Sequence, residues 1–160
     1  MTLKDLILER EEGIAVLTLN RPERLNAISL EMREGLPKVA EEVSRDDEVK
    51  VLIVTGAGRG FCSGADVSGQ AALIAGVVEM PRSMLLEPLA VWLLPIRYLN
   101  KPTIAAVNGI AAGVGFSLSL MCDMIVASDQ ARFSAIWIRR GLMPDGGATY
   151  LLPRVVGTAK

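Results

Sequence analysis

The sequence predicts a compact α/β domain, and three observations carry that prediction. Val51–Thr55 and Thr103–Val107 are continuous apolar, β-branched runs of the kind found in strands covered on both faces. Stretches with apolar residues at helical spacing alternate with such runs. Gly-rich segments at 56–64, 109–115 and 141–147 stand where strand hands over to helix. The composition agrees, because 160 residues that are 51% hydrophobic but only 4% aromatic build one core of Ala, Val, Leu and Ile. One domain, 1–160, accounts for the whole chain.

In order, Leu6–Arg10 and Ile14–Asn20 read as a hairpin turning at Glu11-Glu12-Gly13 and ended by Arg21-Pro22-Glu23-Arg24. Ser29 is placed to cap a helix that runs to about Arg45 despite Pro37, with Met32, Leu36, Val39, Ala40 and Val43 on one face. Asp46-Asp47-Glu48 closes it as a charged turn, and the Val51–Thr55 strand follows. The next segment, Gly56-Ala57-Gly58, is not a dinucleotide fingerprint. Phe61 stands where that motif needs glycine, and the strand before it does not open a βαβ unit.

Asp66–Val78 and Ser83–Leu99 read as helices separated by Met80-Pro81, with Pro88 and Pro95 breaking or kinking the second. The first is rich in Gly and Ala, and fits a mobile segment over a ligand as readily as a packed helix. Thr103–Val107 then leads through Gly109, Gly113 and Gly115 into an apolar helix over Phe116–Met121. Free amides at such a helix start hold a negative oxygen, either a bound phosphate or an oxyanion formed during a reaction. Small residues there also let a helix pack tightly on a sheet, and spacing alone leaves both readings open. Met124–Ala127 and Arg132–Ala135 are short strands, and an apolar helix over Ala148–Leu152 follows the third Gly-rich turn.

Charge and residue usage exclude several classes. A net charge of −1 gives no broad footprint for nucleic acid, and no run of Lys and Arg marks a membrane surface. The longest apolar stretch, Ile104–Val126, is interrupted by Asn108, Ser117, Ser119 and Asp123, which suits a core and not a span. Cys62 and Cys122 lack metal or disulfide spacing and read as reduced thiols. Met1-Thr2-Leu3-Lys4-Asp5 does not open a signal peptide, so a cytoplasmic location is expected. Histidine is absent, which removes imidazole triads and most zinc sites, and no metal is expected.

Several blocks in order carry a resemblance: Asn20-Arg21-Pro22 with Leu25-Asn26-Ala27, Phe61-Cys62-Ser63-Gly64-Ala65-Asp66, Lys101 through Gly109, Cys122-Asp123, and Gly141-Leu142-Met143-Pro144-Asp145-Gly146-Gly147. Together they resemble the crotonase superfamily, the enoyl-CoA hydratases and isomerases. The resemblance implies a spiral of ββα units that binds an acyl-CoA thioester, coenzyme A being part of the substrate and no separate cofactor being needed. It places the two amides of an oxyanion hole at Ala65 and Val114, and a CoA-binding segment at Arg24, Leu25, Ala27, Ser63, Asp66 and Val67. Gly109, Ser117 and Trp137 complete the implied substrate site.

Two departures shape the expected chemistry. Hydratases of this superfamily activate water with two glutamates, and the matching positions are Ser117 and Trp137. Asp145, which by local sequence alone is an ordinary helix cap, lies in a Pro-Asp-Gly-Gly turn. That turn resembles the one in members that isomerise double bonds or the epoxide ring of phenylacetyl-CoA. The expectation is therefore an acyl-CoA isomerase of fatty acid metabolism with Asp145 as its single base. Alternatives are a hydratase with an unlocated second carboxylate, an aromatic acyl-CoA dehalogenase lacking its usual histidine, and a non-catalytic CoA- or RNA-binding relative. Members continue well past Val155-Val156-Gly157 into helices that build trimers. This chain is accordingly expected to lack a C-terminal helical part, and to form a homotrimer or dimer of trimers when full length.

Overall fold

The computed structural model describes residues 3–68 and 91–159. Its strands are β1 (Leu6–Glu11), β2 (Ile14–Leu19), β3 (Val51–Gly56), β4 (Gly60–Cys62), β5 (Thr103–Val107), β6 (Ile110–Ala112), β7 (Met124–Ala127) and β8 (Arg132–Ser134). Its helices are α1 (Leu30–Arg45), the single turn α2 (Leu94–Arg97), α3 (Val114–Met121) and α4 (Ala148–Val156). Short 3-10 turns span Pro22–Arg24, Val91–Leu93 and Ile136–Arg140.

Two sheets organise these elements. The larger runs β1-β2-β3-β5-β7, antiparallel only at the β1–β2 hairpin, and the smaller runs β4-β6-β8, parallel throughout. Successive strands β3 and β4, β5 and β6, β7 and β8 belong to different sheets, so the chain turns a corner after each strand of the first. This is the ββα spiral that the resemblance implies.

The corner between β3 and β4 shows how side chains impose the turn. Arg21 N–H donates to Asn26 Oδ1 at 2.8 Å, while Asn26 Nδ2 donates to the carbonyls of Ala57 (2.9 Å) and Gly60 (2.7 Å). From the other side, Asn108 Nδ2 faces the carbonyls of Gly56 and Gly58, each at 2.9 Å, and Gly56 N–H donates to Asn108 Oδ1 at 3.3 Å. Backbone groups that a sheet would have paired are thus met by two amide side chains. Gly109 is needed for the close approach, since a Cβ there would stand 2.1 Å from the Arg59 carbonyl oxygen. Asn26 has φ +55, a conformation Asn tolerates better than most residues.

The core lies between the large sheet and α1. Leu17, Leu19, Leu52, Val54, Ala105 and Val107 meet Met32, Leu36, Val39 and Val43 of the helix. Ser29 caps α1 as expected, its Oγ accepting from Met32 N–H at 3.1 Å, and Lys101 Nζ donates to the Val43 and Asp46 carbonyls at the other end. All eight residues of α3 are buried. Both cysteines are buried free thiols whose pKa is pushed up to about 12, chiefly by burial.

The structure corrects several expectations. The helix read over Asp66–Val78 does not begin at its start: residues 66–68 are not helical, and 69–78 lie outside the described residues. The helix read over Ser83–Leu99 is, in its described part, a 3-10 turn and the single turn α2. Pro95 does not break it, because it sits in the first turn, where a missing N–H leaves no bond unmade. The Gly-rich segments read as plain turns contain β4 and β6, half of each strand-corner-strand unit. Helix α4 continues past Leu152 through Pro153 to Val156.

If the corner depends on Asn26, Asn26→Ala leaves the Arg21 amide and the Ala57 carbonyl unpaired, and leaves the Gly60 carbonyl only its 3.3 Å bond from Asn108 Nδ2. Each unmet group costs about 1–3 kcal/mol, so a loss of at least about 2 kcal/mol is expected in urea denaturation. Asn20→Ala, which removes a solvent-facing bond to the Lys4 carbonyl, is expected to lose less than about 1 kcal/mol.

Candidate active site

Strands β4 and β6 pair in parallel, with Cys62 opposite Ala111, so the turns that follow them leave the small sheet side by side. One is Ser63-Gly64-Ala65 and the other Ala112-Gly113-Val114. Gly64 (φ +111) and Gly113 (φ +53) are the points of contact: a Cβ on Gly64 would stand 3.1 Å from the Ala112 carbonyl oxygen and 4.0 Å from Gly113 Cα. Both have the positive φ that favours glycine. Behind them, a Cβ on Gly115 would stand 2.3 Å from the Cys62 carbonyl oxygen, which is how closely α3 lies on β4.

The residues just after these glycines present free amides. Ala65 forms a parallel bridge with Ile28 in which Ile28 N–H donates to Gly64 O at 2.8 Å and Asp66 N–H to Ile28 O at 3.0 Å. That pattern uses the groups flanking Ala65 and turns its own N–H away. Val114 opens α3, and the Gly113 carbonyl takes Ser117 N–H at 3.0 Å, so the Val114 amide is one of the unpaired donors of a helix start. Among the described residues neither amide has a backbone acceptor. Val114 begins the helix expected after its turn, whereas residues 66–68 after Ala65 are not helical and 69–78 lie outside the described residues.

Asp145 lies beside these turns, half-buried, and is held by Trp137 and Ser117. Trp137 Nε1 donates to its Oδ1 at 3.1 Å, and Ser117 Oγ stands 3.0 Å from its main-chain oxygen and 3.4 Å from Oδ1. A Cβ on Gly113 would lie 4.0 Å from Trp137 Nε1, so the indole joins the Val114 turn to the acid. Gly146 (φ +54) packs the loop onto α3, where a Cβ would stand 2.4 Å from Ser117 Cβ. Burial raises the pKa of Asp145 and the bonds from Trp137 and Ser117 oppose that rise.

The acid is not a side-chain cap. Gly147 occupies the cap of α4, and Ala148 N–H bonds the Asp145 main-chain oxygen at 3.0 Å. Ser117 bonds main-chain oxygens, as a helix serine commonly does, and also reaches the carboxylate to which Trp137 donates.

The positions implied for coenzyme A are less uniform. Arg24 and Val67 are exposed, Leu25 is half-buried with φ +49, and Ala27 is buried. Ser63 Oγ donates to the Arg24 carbonyl at 3.2 Å. Asp66 has both oxygens engaged: Ser68 Oγ (2.6 Å) and N–H (2.9 Å) bond Oδ1, and Arg21 bonds Oδ2 at 2.9 Å. Those bonds, Ser68 first, lower its pKa to about 2. Asp66 therefore ties the loop to Arg21, which also reaches the Ala27 carbonyl (2.8 Å) and Asp5 (3.5 Å). Gly109 sits at the Arg59 corner and does not join the cluster. Sequence reasoning passed over Arg21, Asn26 and Asn108 as individual residues, although all three stand in the blocks that carry the resemblance.

Among the described residues no group of three His, Cys, Asp or Glu side chains is arranged to hold a metal ion, and no helix is long and apolar enough to cross a membrane.

A spiral of ββα turns, two free amides from adjacent turns and an acid on a neighbouring loop define a protein of the crotonase class. Residues 9–160 match the family model described as enoyl-CoA hydratase/isomerase, and the chain belongs to that family. It is 43% identical over 157 residues to the 1,2-epoxyphenylacetyl-CoA isomerase of Escherichia coli, covering 94% of this chain and 57% of that protein. It is 42% identical over 151 residues to a probable enoyl-CoA hydratase of Mycobacterium leprae, covering 92% and 51%. Among solved structures, an enoyl-CoA hydratase from a Polaromonas species superposes with TM-score 0.86 at 34% identity, over 96% of this chain and 60% of that one. One from Mycobacterium avium superposes at 0.84 and 36%, over 99% and 61%. The chain thus spans between half and two thirds of the length of these relatives.

The two perturbed carboxylates predict opposite pH effects. Asp145, raised in the folded state, contributes stability that is complete below the ordinary carboxylate range and is lost as pH rises through its folded value. Asp145→Asn is therefore expected to unfold at a higher temperature than the parent near about pH 7, with the difference vanishing below about pH 4. Asp66, lowered to about 2, contributes stability present above the unfolded carboxylate value and lost as pH falls through the folded one. Asp66→Asn is expected to unfold at a lower temperature near about pH 7, and to converge on the parent as pH falls from about 4 to about 2. Calorimetric scans across that range check both signs.

Proposed function

We propose that this chain carries the catalytic core of an acyl-CoA isomerase, with Asp145 as its base and the Ala65 and Val114 amides as its oxyanion hole. The observation that carries the reading is that Ser117 and Trp137 both bond Asp145, which leaves one carboxylate in the cluster and no second one beside it among the described residues. A single base suffices to move a proton, whereas adding water calls for a partner to hold and activate it.

In this mechanism the thioester carbonyl oxygen lies against the two amides. The Asp145 carboxylate takes a proton from the carbon next to the carbonyl, and the C–H electron pair passes into a dienolate whose negative oxygen the amides stabilise. Each such donor is worth about 3–4 kcal/mol of transition-state stabilisation. Trp137 and Ser117 reach Oδ1, so Oδ2 is the oxygen left to carry the proton. Asp145 then returns that proton to the far end of the dienolate, and the double bond has moved. The raised pKa brings the acid nearer to the pH at which it must both accept and release a proton. Substrates that suit this chemistry are 3-enoyl-CoA esters and ring-epoxide esters of phenylacetyl-CoA. No cofactor beyond the coenzyme A of the substrate is called for. A cytoplasmic homotrimer of the full-length protein completes the proposal.

A second reading is hydration, favoured by the names of most of the relatives. It requires a carboxylate besides Asp145.

Two measurements decide between them, made on the full-length protein. Asp145→Asn preserves an acceptor for Trp137, so isomerisation of a 3-enoyl-CoA is expected to fall at least about 100-fold with acyl-CoA affinity unchanged. An Asn variant that keeps most of the parent rate would remove Asp145 from the mechanism. Crotonyl-CoA is expected to keep its conjugated thioester absorbance on incubation with the enzyme, and rapid loss through water addition would sink the isomerase reading.

A further inference from the structure

Ser117 is wholly buried, yet its hydroxyl has more acceptors than protons. Oγ stands 3.0 Å from the Asp145 main-chain oxygen, 3.4 Å from Asp145 Oδ1 and 3.5 Å from the Gly113 carbonyl. The last is the one-turn-back contact of a helix serine, and it is the longest of the three. A hydroxyl donates one proton and rotates to suit its surroundings. The two Asp145 oxygens are therefore its competing partners, and they differ in kind. The main-chain oxygen is always neutral, while Oδ1 is charged only when Asp145 is ionised. Trp137 Nε1 also reaches Oδ1, but an indole N–H is fixed in its ring and cannot turn away.

We propose that Ser117 is a positioning residue whose hydroxyl turns to Oδ1 when Asp145 is ionised and to the Asp145 main-chain oxygen when Asp145 holds the substrate proton. The role rests on the reading of Asp145 as the base. When the substrate C–H bond breaks, its electrons enter the dienolate and its proton binds Oδ2. Ser117 keeps its own proton throughout and only rotates. Return of the proton to the far carbon reverses the rotation. Asp145 thus gains a donor while it is a base and sheds it while it is an acid, which suits a group that must do both in one turnover.

Among the described residues the other titratable groups on the elements packed around Asp145 point to solvent: Arg97 on α2 and Tyr150 and Arg154 on α4 are exposed. Helix α3 and the Val91–Leu93 turn carry no titratable side chain, Asp145 is the only such residue in 141–147, and Arg139 and Arg140 on the Ile136–Arg140 turn are exposed.

The test uses the full-length protein with 13Cγ-labelled aspartate, Asp145→Asn identifying the Asp145 resonance. Ser117→Ala removes the rotating donor, and Ser117→Cys replaces it with a weaker one of similar size. In the free protein the Asp145 titration is expected to move upward in Ser117→Ala and by a smaller amount in Ser117→Cys, thermal unfolding confirming that both variants fold. The acidic limb of kcat/KM for a 3-enoyl-CoA is expected to move upward in parallel. On that limb kcat falls about tenfold with KM unchanged, the worth of one hydrogen bond. An unmoved carboxyl titration in Ser117→Ala overturns the proposal whatever the activity. A moved titration with an unmoved kinetic limb overturns it too, since the bond then plays no part in turnover. Retention of activity by Asp145→Asn overturns the base reading, and is recognised separately because the carboxyl titration is read without substrate.

Discussion

The amide side chains of Asn26 and Asn108 hold the corner at 56–60, and the site depends on that corner. A chain leaving β3 would most simply fold back on it as a hairpin, pairing its own backbone groups. Two side-chain amides, arriving from opposite directions, take the carbonyls of Gly56, Ala57, Gly58 and Gly60. The chain is then free to enter a second sheet as β4, and β4 beside β6 sets the two amide-bearing turns next to each other. The energetic weight of the corner is large because Asn26 is wholly buried, where an unmet polar group has no water to turn to.

From the corner outward, rigidity is supplied by close contact. Gly115 against Cys62 and Gly146 against Ser117 are approaches that exclude even a methyl group, and Gly64 against Ala112 is nearly as tight. Donors fixed in this way need no rearrangement when charge appears on a bound oxygen, which is the condition under which hydrogen bonds lower a reaction barrier most. The fully buried α3 serves this arrangement along one side, presenting Val114 N–H at its start and Ser117 one turn later. Cys62, with its proton held to about pH 12, stands in this packing as an inert apolar filler and not as a nucleophile.

What the sequence made legible followed from local signals. The hairpin, the capped α1 with its apolar face, and strands β3, β5 and β7 all carry strong periodicity or β-branched runs, and all stand close to where they were read. Strands β4 and β6 were not legible, since three-residue pieces such as Gly60-Phe61-Cys62 and Ile110-Ala111-Ala112 have no period to display. The same limit hid the work of Gly109, whose neighbour is Arg59, some fifty residues away in the chain. The amide positions Ala65 and Val114 came through the resemblance, and the structure places their turns in contact. The convergence of Ser117 and Trp137 on Asp145 had no sequence signature, because nothing in spacing says which way a serine hydroxyl or an indole N–H points.

The two candidate oxyanion donors are peptide groups and belong to no side chain. Any substitution at positions 65 and 114 other than proline leaves an N–H in place, so mutation has few ways to delete this half of the site. Ser117, Trp137 and Asp145 have no such protection, since each contributes through atoms that a single codon change removes. Descent with modification in such a molecule acts on an unequal target: the grip on the oxygen is inherited with the backbone, while the choice of what to do to the neighbouring carbon is rewritten residue by residue.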